Sequence, residues 1–189
     1  MHNFLVKKKN SKKPFIIGGV IFLGLIMGMG SFFFYEKDGG ENIDKNKSSS
    51  ESFSEGNFEE TITLLENSQE EKNIDTMMKL AVSYYNKKEY ENSLKNYEKI
   101  LELEEQNFTA HNGMANVYRD TKEYEKAEKS YRRAIEINIK YALAYSNLAL
   151  MFIDIGKKDE AKNIIKEGRS QIPDSMELKN IENFIGGGE

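Results

Sequence analysis

The chain has 189 residues, with 27 basic against 31 acidic side chains, a net charge of −4, and no cysteine. That length holds one modest domain with appendages. The missing thiols exclude disulfides, thiolate metal sites and cysteine nucleophiles, and the acidic balance disfavours a nucleic-acid partner.

Met1–Lys13 carries Lys7, Lys8, Lys9, Lys12 and Lys13 and no acidic residue, and residues 15–35 then run without one charge. About 20 apolar residues in a helix cross the hydrocarbon core of a bilayer, and each charge at its centre would cost about 2.5–3.5 kcal/mol. The run also exceeds the apolar region of a signal peptide, about 7–15 residues. It is read as an uncleaved transmembrane anchor over 15–35, behind a basic cytoplasmic leader over 1–14. The lysine bias places the N-terminus in the cytoplasm. The expected localisation is therefore the cell membrane, single-pass, with the rest of the chain extracytoplasmic. With those five lysines set aside the remainder is near −9, which again argues against nucleic acid.

Residues 36–52 read as a flexible linker, charged and carrying Gly39-Gly40 and Ser48-Ser49-Ser50. Over 53–73, Phe58, Ile62 and Leu65 share one helical face. That segment is read as a partial repeat, a second helix without a recognisable first one. From residue 74 the chain repeats itself every 34 residues, in blocks 74–107, 108–141 and 142–175. Ala81, Ala115 and Ala149 fall in one column, followed by Tyr84, Tyr118 and Phe152 in another. A second pair of columns holds Ser93, Ala127 and Ala161, then Tyr97, Tyr131 and Ile165. The first helices are expected over about 75–86, 108–120 and 142–155, the second over about 90–103, 124–137 and 158–171, with short polar turns forcing antiparallel neighbours. After Pro173, Asp174 with Glu177 three residues on predicts the N-cap of a capping helix over 176–189, whose apolar face is Leu178, Ile181 and Ile185.

These columns resemble the tetratricopeptide repeat, the 34-residue helix–turn–helix unit. The departures are Ile165, which is not aromatic, and alanine replacing the glycine beside the first helix's leucine. The resemblance implies an all-α fold, a right-handed solenoid of three full repeats with a partial unit before it and a capping helix after it. It also implies a binding scaffold rather than an enzyme. No catalytic constellation is visible: His2 and His111 have no second ligand for a metal, and no glycine-rich phosphate loop opens a helix. No cofactor and no metal are expected.

In the family the first helices line a concave groove that holds a peptide or a partner helix. Carried over by column, the groove is Met78, Val82 and Tyr85, then Asn112, Asn116 and Arg119, then Leu143, Ser146, Asn147, Leu150 and Ile153. The amides offer both donor and acceptor to a peptide backbone, and Arg119 could bond a carboxylate. Some relatives clamp a C-terminal carboxylate with two asparagines and several basic residues. Asn116 and Asn147 match its asparagines, but Asn112, Glu177 and Ile181 stand where the cations should be, so no clamp is expected. The leading expectation is a membrane-anchored scaffold for a protein or peptide partner. Alternatives are a self-associating structural subunit, hence a homo-oligomer, and a holdase for exported chains, to which Met77, Met78 and Met114 would lend adaptable surface.

Overall fold

The computed structural model describes residues 47–68 and 73–186. The expected leader, the anchor over 15–35 and most of the linker lie outside them. Among the described residues no helix is long and apolar enough to cross a membrane. The longest have 14 residues, about 21 Å at 1.5 Å per residue against a core of about 30 Å. The cell-membrane localisation, with its extracytoplasmic repeats, has no spanning helix among the described residues to support it and is withdrawn.

The described residues form nine α-helices in antiparallel pairs: α1 (Ser49–Ser54) with α2 (Phe58–Asn67), α3 (Ile74–Asn86) with α4 (Tyr90–Leu103), α5 (Phe108–Asp120) with α6 (Tyr124–Ile137), and α7 (Ala142–Asp154) with α8 (Lys158–Gln171). Helix α9 (Met176–Gly186) closes the stack against α7 and α8. Each pair also packs on the next, giving an all-α solenoid.

One turn builds every pair. The N–H of Glu89 bonds the Tyr84 carbonyl at 2.8 Å and that of Lys88 bonds Tyr85 at 2.9 Å. The same two bonds recur as Glu123 to Tyr118 and Lys122 to Arg119, as Lys157 to Phe152 and Gly156 to Ile153, and as Asn57 to Ser52 and Gly56 to Phe53. This is the Schellman pattern, which satisfies the last carbonyls of a helix by placing one residue in the left-handed region. Those residues are Gly56, Lys88, Lys122 and Gly156, at φ +74°, +63°, +64° and +78°. A side chain there is strained by about 1 kcal/mol. Replacing Lys122 with glycine should accordingly stabilise the fold by about 0.5–1 kcal/mol, and Gly156→Ala should cost about 1 kcal/mol, both read from thermal unfolding.

The turn at Gly56 shows that the N-terminal unit has a first helix after all. Helix α1 is short and begins inside the stretch expected to be linker. Ser52 stands in the place of the aromatic and is fully buried. Its hydroxyl donates to the Glu60 carboxylate at 2.9 Å, which also accepts from Asn57 at 2.9 Å and Lys47 at 2.7 Å. A buried carboxylate held by three donors costs little and pins α1 to α2.

Side-chain caps start three of the first helices. Asn73 accepts from the Thr76 N–H and Asn107 from the Ala110 N–H, both at 2.9 Å, and Ser48 from Glu51 at 3.1 Å. The cap of α9 falls one residue later than expected: Ser175 Oγ accepts from Leu178 at 3.3 Å, so Asp174 is not the cap.

The alanines are the reason the helices can stack closely. Ala81, Ala115, Ala149, Ala127 and Ala161 are completely buried, as is Ser93, whose hydroxyl donates to the Ala81 carbonyl at 2.8 Å. Tyr97, Tyr131 and Ile165 fill the space between layers. Among the described residues one buried side-chain group is unsatisfied. Ser83 Oγ has no hydrogen-bond partner, in a column otherwise filled by Val117, Met151 and Ile185. Stranding a hydroxyl costs about 1–3 kcal/mol. Ser83→Ala should therefore raise stability by about 1 kcal/mol in urea unfolding.

Candidate functional site

The inner wall of the stack is built by α3, α5, α7 and α9, because the first helices lie side by side while the second helices back them. On each, positions spaced i, i+4, i+7 and i+11 share a face. The polar middle of this wall is largely spent on itself. Asn112 is only 4% exposed, and its Oδ1 accepts from Asn147 Nδ2 at 3.1 Å, tying α5 to α7. Ser146 is buried too, and its hydroxyl donates to the Ala142 carbonyl at 3.0 Å. Neither can meet a ligand. Asn112 joins two helices of the wall and Ser146 is spent on its own helix, which corrects their assignment to the wall's surface.

Asn116 is half-buried. Its Oδ1 accepts from the Tyr131 hydroxyl at 2.6 Å, and its amide N–H groups bond no described residue. Arg119 is half-buried and already paired. Its Nε donates to Asp120 Oδ1 at 2.9 Å and its Nη2 to Tyr85 Oη at 3.2 Å, while Tyr85 donates in turn to Asp120 Oδ2 at 2.6 Å. Burial, then the Asp120 carboxylate, pushes the Tyr85 hydroxyl up to about 12, so it stays protonated as a donor. Removing Arg119 would unpair this cluster, so an Arg119 substitution confounds stability with binding. Met78 and Val82 are half-buried on α3, and Met78 and Tyr85 pack against the core around Met77, Ala81, Tyr97 and Ile100.

The apolar end of the wall is what remains open. Leu143 is 42% exposed and Leu150 39%, one face of α7, and Ile153 is half-buried beside them. Helix α9 continues that wall. A further step of 34 residues from Leu150 arrives at Phe184, which is 69% exposed. The repeat columns end at residue 175, and in sequence the tail beyond them reads only as a cover. Continuing the Val82, Asn116, Leu150 column by one interval is the signal that finds Phe184. Leu178 and Ile185 do bury against the stack, as a cover requires.

His111 Nε2 lies 3.0 Å from the Glu105 carbonyl. Among the described residues no group of three or more histidines, cysteines or carboxylates could hold a metal ion.

Stacked helix pairs with one recurring turn define an all-α helical-repeat solenoid. Two of these pairs match models of the tetratricopeptide repeat, over residues 74–107 and 108–141. The pair α7–α8 lies beyond those matches and carries the same turn. Solved structures agree. The first such domain of Spaghetti (RPAP3), bound to the HSP90 peptide SRMEEVD, is 20% identical, with the match covering 62% of this chain and 94% of that one at a TM-score of 0.53. MamA is 20% identical over 75% of this chain and 84% of its own, at 0.61. The Arabidopsis OM64 domain is 17% identical over 61% and 96%, at 0.53. At such identities the likeness concerns the fold. No curated protein matches the sequence.

Proposed function

We propose that the protein is a non-enzymatic scaffold that seats a peptide or a partner helix along the inner wall of α3, α5, α7 and α9. The observation that carries this is the open apolar patch of Leu143, Leu150 and Phe184 on that wall. Exposed leucine and phenylalanine gain about 25 cal/mol for each Å² a partner covers. The unspent amide of Asn116 offers a donor to a passing backbone carbonyl.

The Spaghetti domain is bound to a peptide ending in acidic residues. The same recognition is not proposed here. Asn112 is buried and committed to Asn147, and Glu177 and Ile181 occupy positions where a carboxylate would need cations.

Photocrosslinking tests the assignment. A photoreactive residue at position 150 in intact cells should give a discrete adduct with another protein, and one at Lys129, on α6, should not. Adducts from position 129 alone would move the site off the wall.

A further inference from the structure

The charges of the inner wall are unevenly matched along its length. On α3, Lys79 pairs with Asp75. On α5, Arg119 pairs with Asp120 at 2.8 Å. One interval on, Asp154 occupies the position of Asp120, but Ile153 occupies the position of Arg119. Asp154 is exposed and makes no ion pair with any described residue. Glu177, at the start of α9, is likewise exposed and without an ion pair among the described residues.

These two carboxylates flank the apolar column. Leu143, Asn147, Leu150 and Asp154 lie on one face of α7, and Glu177, Ile181 and Phe184, one interval on from the first three, on the corresponding face of α9. The α7–α9 end of the wall is thus an apolar strip with a carboxylate near either end that no cation among the described residues pairs. A partner's cation at Asp154 would take the role that Arg119 plays for Asp120 within the chain.

We infer that this end of the groove takes a segment bearing a bulky aliphatic or aromatic side chain flanked by lysine or arginine. The apolar group packs on Leu150 and Phe184, and the cations pair with Asp154 and Glu177. This rests on the groove reading and gives it a partner chemistry. Opposite charges at the rim set orientation and association rate, and like charges there exclude acidic segments.

The probe is a random dodecapeptide display library selected on the full-length protein, followed by binding of the synthetic winners to variants. Peptides with lysine or arginine beside leucine, phenylalanine or a similar residue are expected. Asp154→Asn with Glu177→Gln should weaken such a peptide about tenfold and flatten its salt dependence, and Phe184→Ser should weaken it comparably. All three positions are exposed, so folding should be unchanged by helical circular dichroism. Winners rich in aspartate and glutamate, or winners indifferent to the neutralised pair, would overturn the charge assignment. If Leu150→Arg still abolishes their binding, the groove itself stands. If no winner is sensitive to Leu150→Arg, both readings fall together.

Discussion

Gly113→Ala is expected to destabilise the protein by about 2 kcal/mol or more, although alanine favours a helix over glycine by about 1 kcal/mol. A Cβ at position 113 would lie 2.3 Å from Cζ of Tyr97 and 2.5 Å from its Cε1 and Oη. Carbon atoms do not approach so closely, so α5 must lift from α4 or the ring must turn. The ring has nowhere to go. Tyr97 is 4% exposed and packs among Ile100, Ala110 and Val117 between two repeats. Overpacking of this kind costs about 1–3 kcal/mol and sometimes more. The cause can be isolated with Tyr97→Leu, which removes the atoms in the way. In that background the same alanine should be neutral or stabilising by up to about 1 kcal/mol, so the two substitutions should be strongly non-additive in urea unfolding. A neutral Gly113→Ala in the native background would mean that α4 and α5 do not meet as described.

Leu150→Arg should abolish capture of a groove ligand, a loss of about 30-fold or more, with stability changed by no more than about 0.5 kcal/mol. Leu150 is 39% exposed on α7, so arginine is accommodated without strain in the core. The loss has two sources. The apolar patch shared with Leu143 and Phe184 is interrupted, and the new guanidinium lies one turn from Asp154, where it neutralises the carboxylate a basic partner would use. Leu103→Arg is the matched control. That leucine is 63% exposed at the end of α4, off the inner wall, and its replacement should leave binding untouched. Titration of a fluorescent groove peptide against the three proteins makes the comparison.

The stacking of the helices was legible because alanine and tyrosine columns recur at a fixed interval, and that interval reflects the size of one helix pair. Ala81, Ala115 and Ala149 are wedged between helices as their column requires. Helix α1 escaped notice because its unit is offset by 32 residues rather than 34 and places Ser52 where an aromatic was sought. The wall was harder to read. Periodicity reports which way a side chain faces, but not how deeply it sits or what it already holds. Asn112 and Ser146 face inward yet are covered, because the partner of one comes from the next repeat and that of the other from its own backbone. Arg119 looked available as an isolated cation, and Asp120 beside it was not counted against it. Phe184 is hidden for the opposite reason: the buried face of α9, with Leu178 and Ile185, announces a cover, and the second face carries no column within the three repeats.

Amide hydrogen exchange on the full-length protein, with and without a display-selected peptide, tests the central claim most directly. Added protection should concentrate on α5, α7 and α9, around Asn116, Leu150 and Phe184, leaving α4, α6 and α8 as they were. Protection confined to α4, α6 and α8 would show that the inner wall is not where this protein meets its partner.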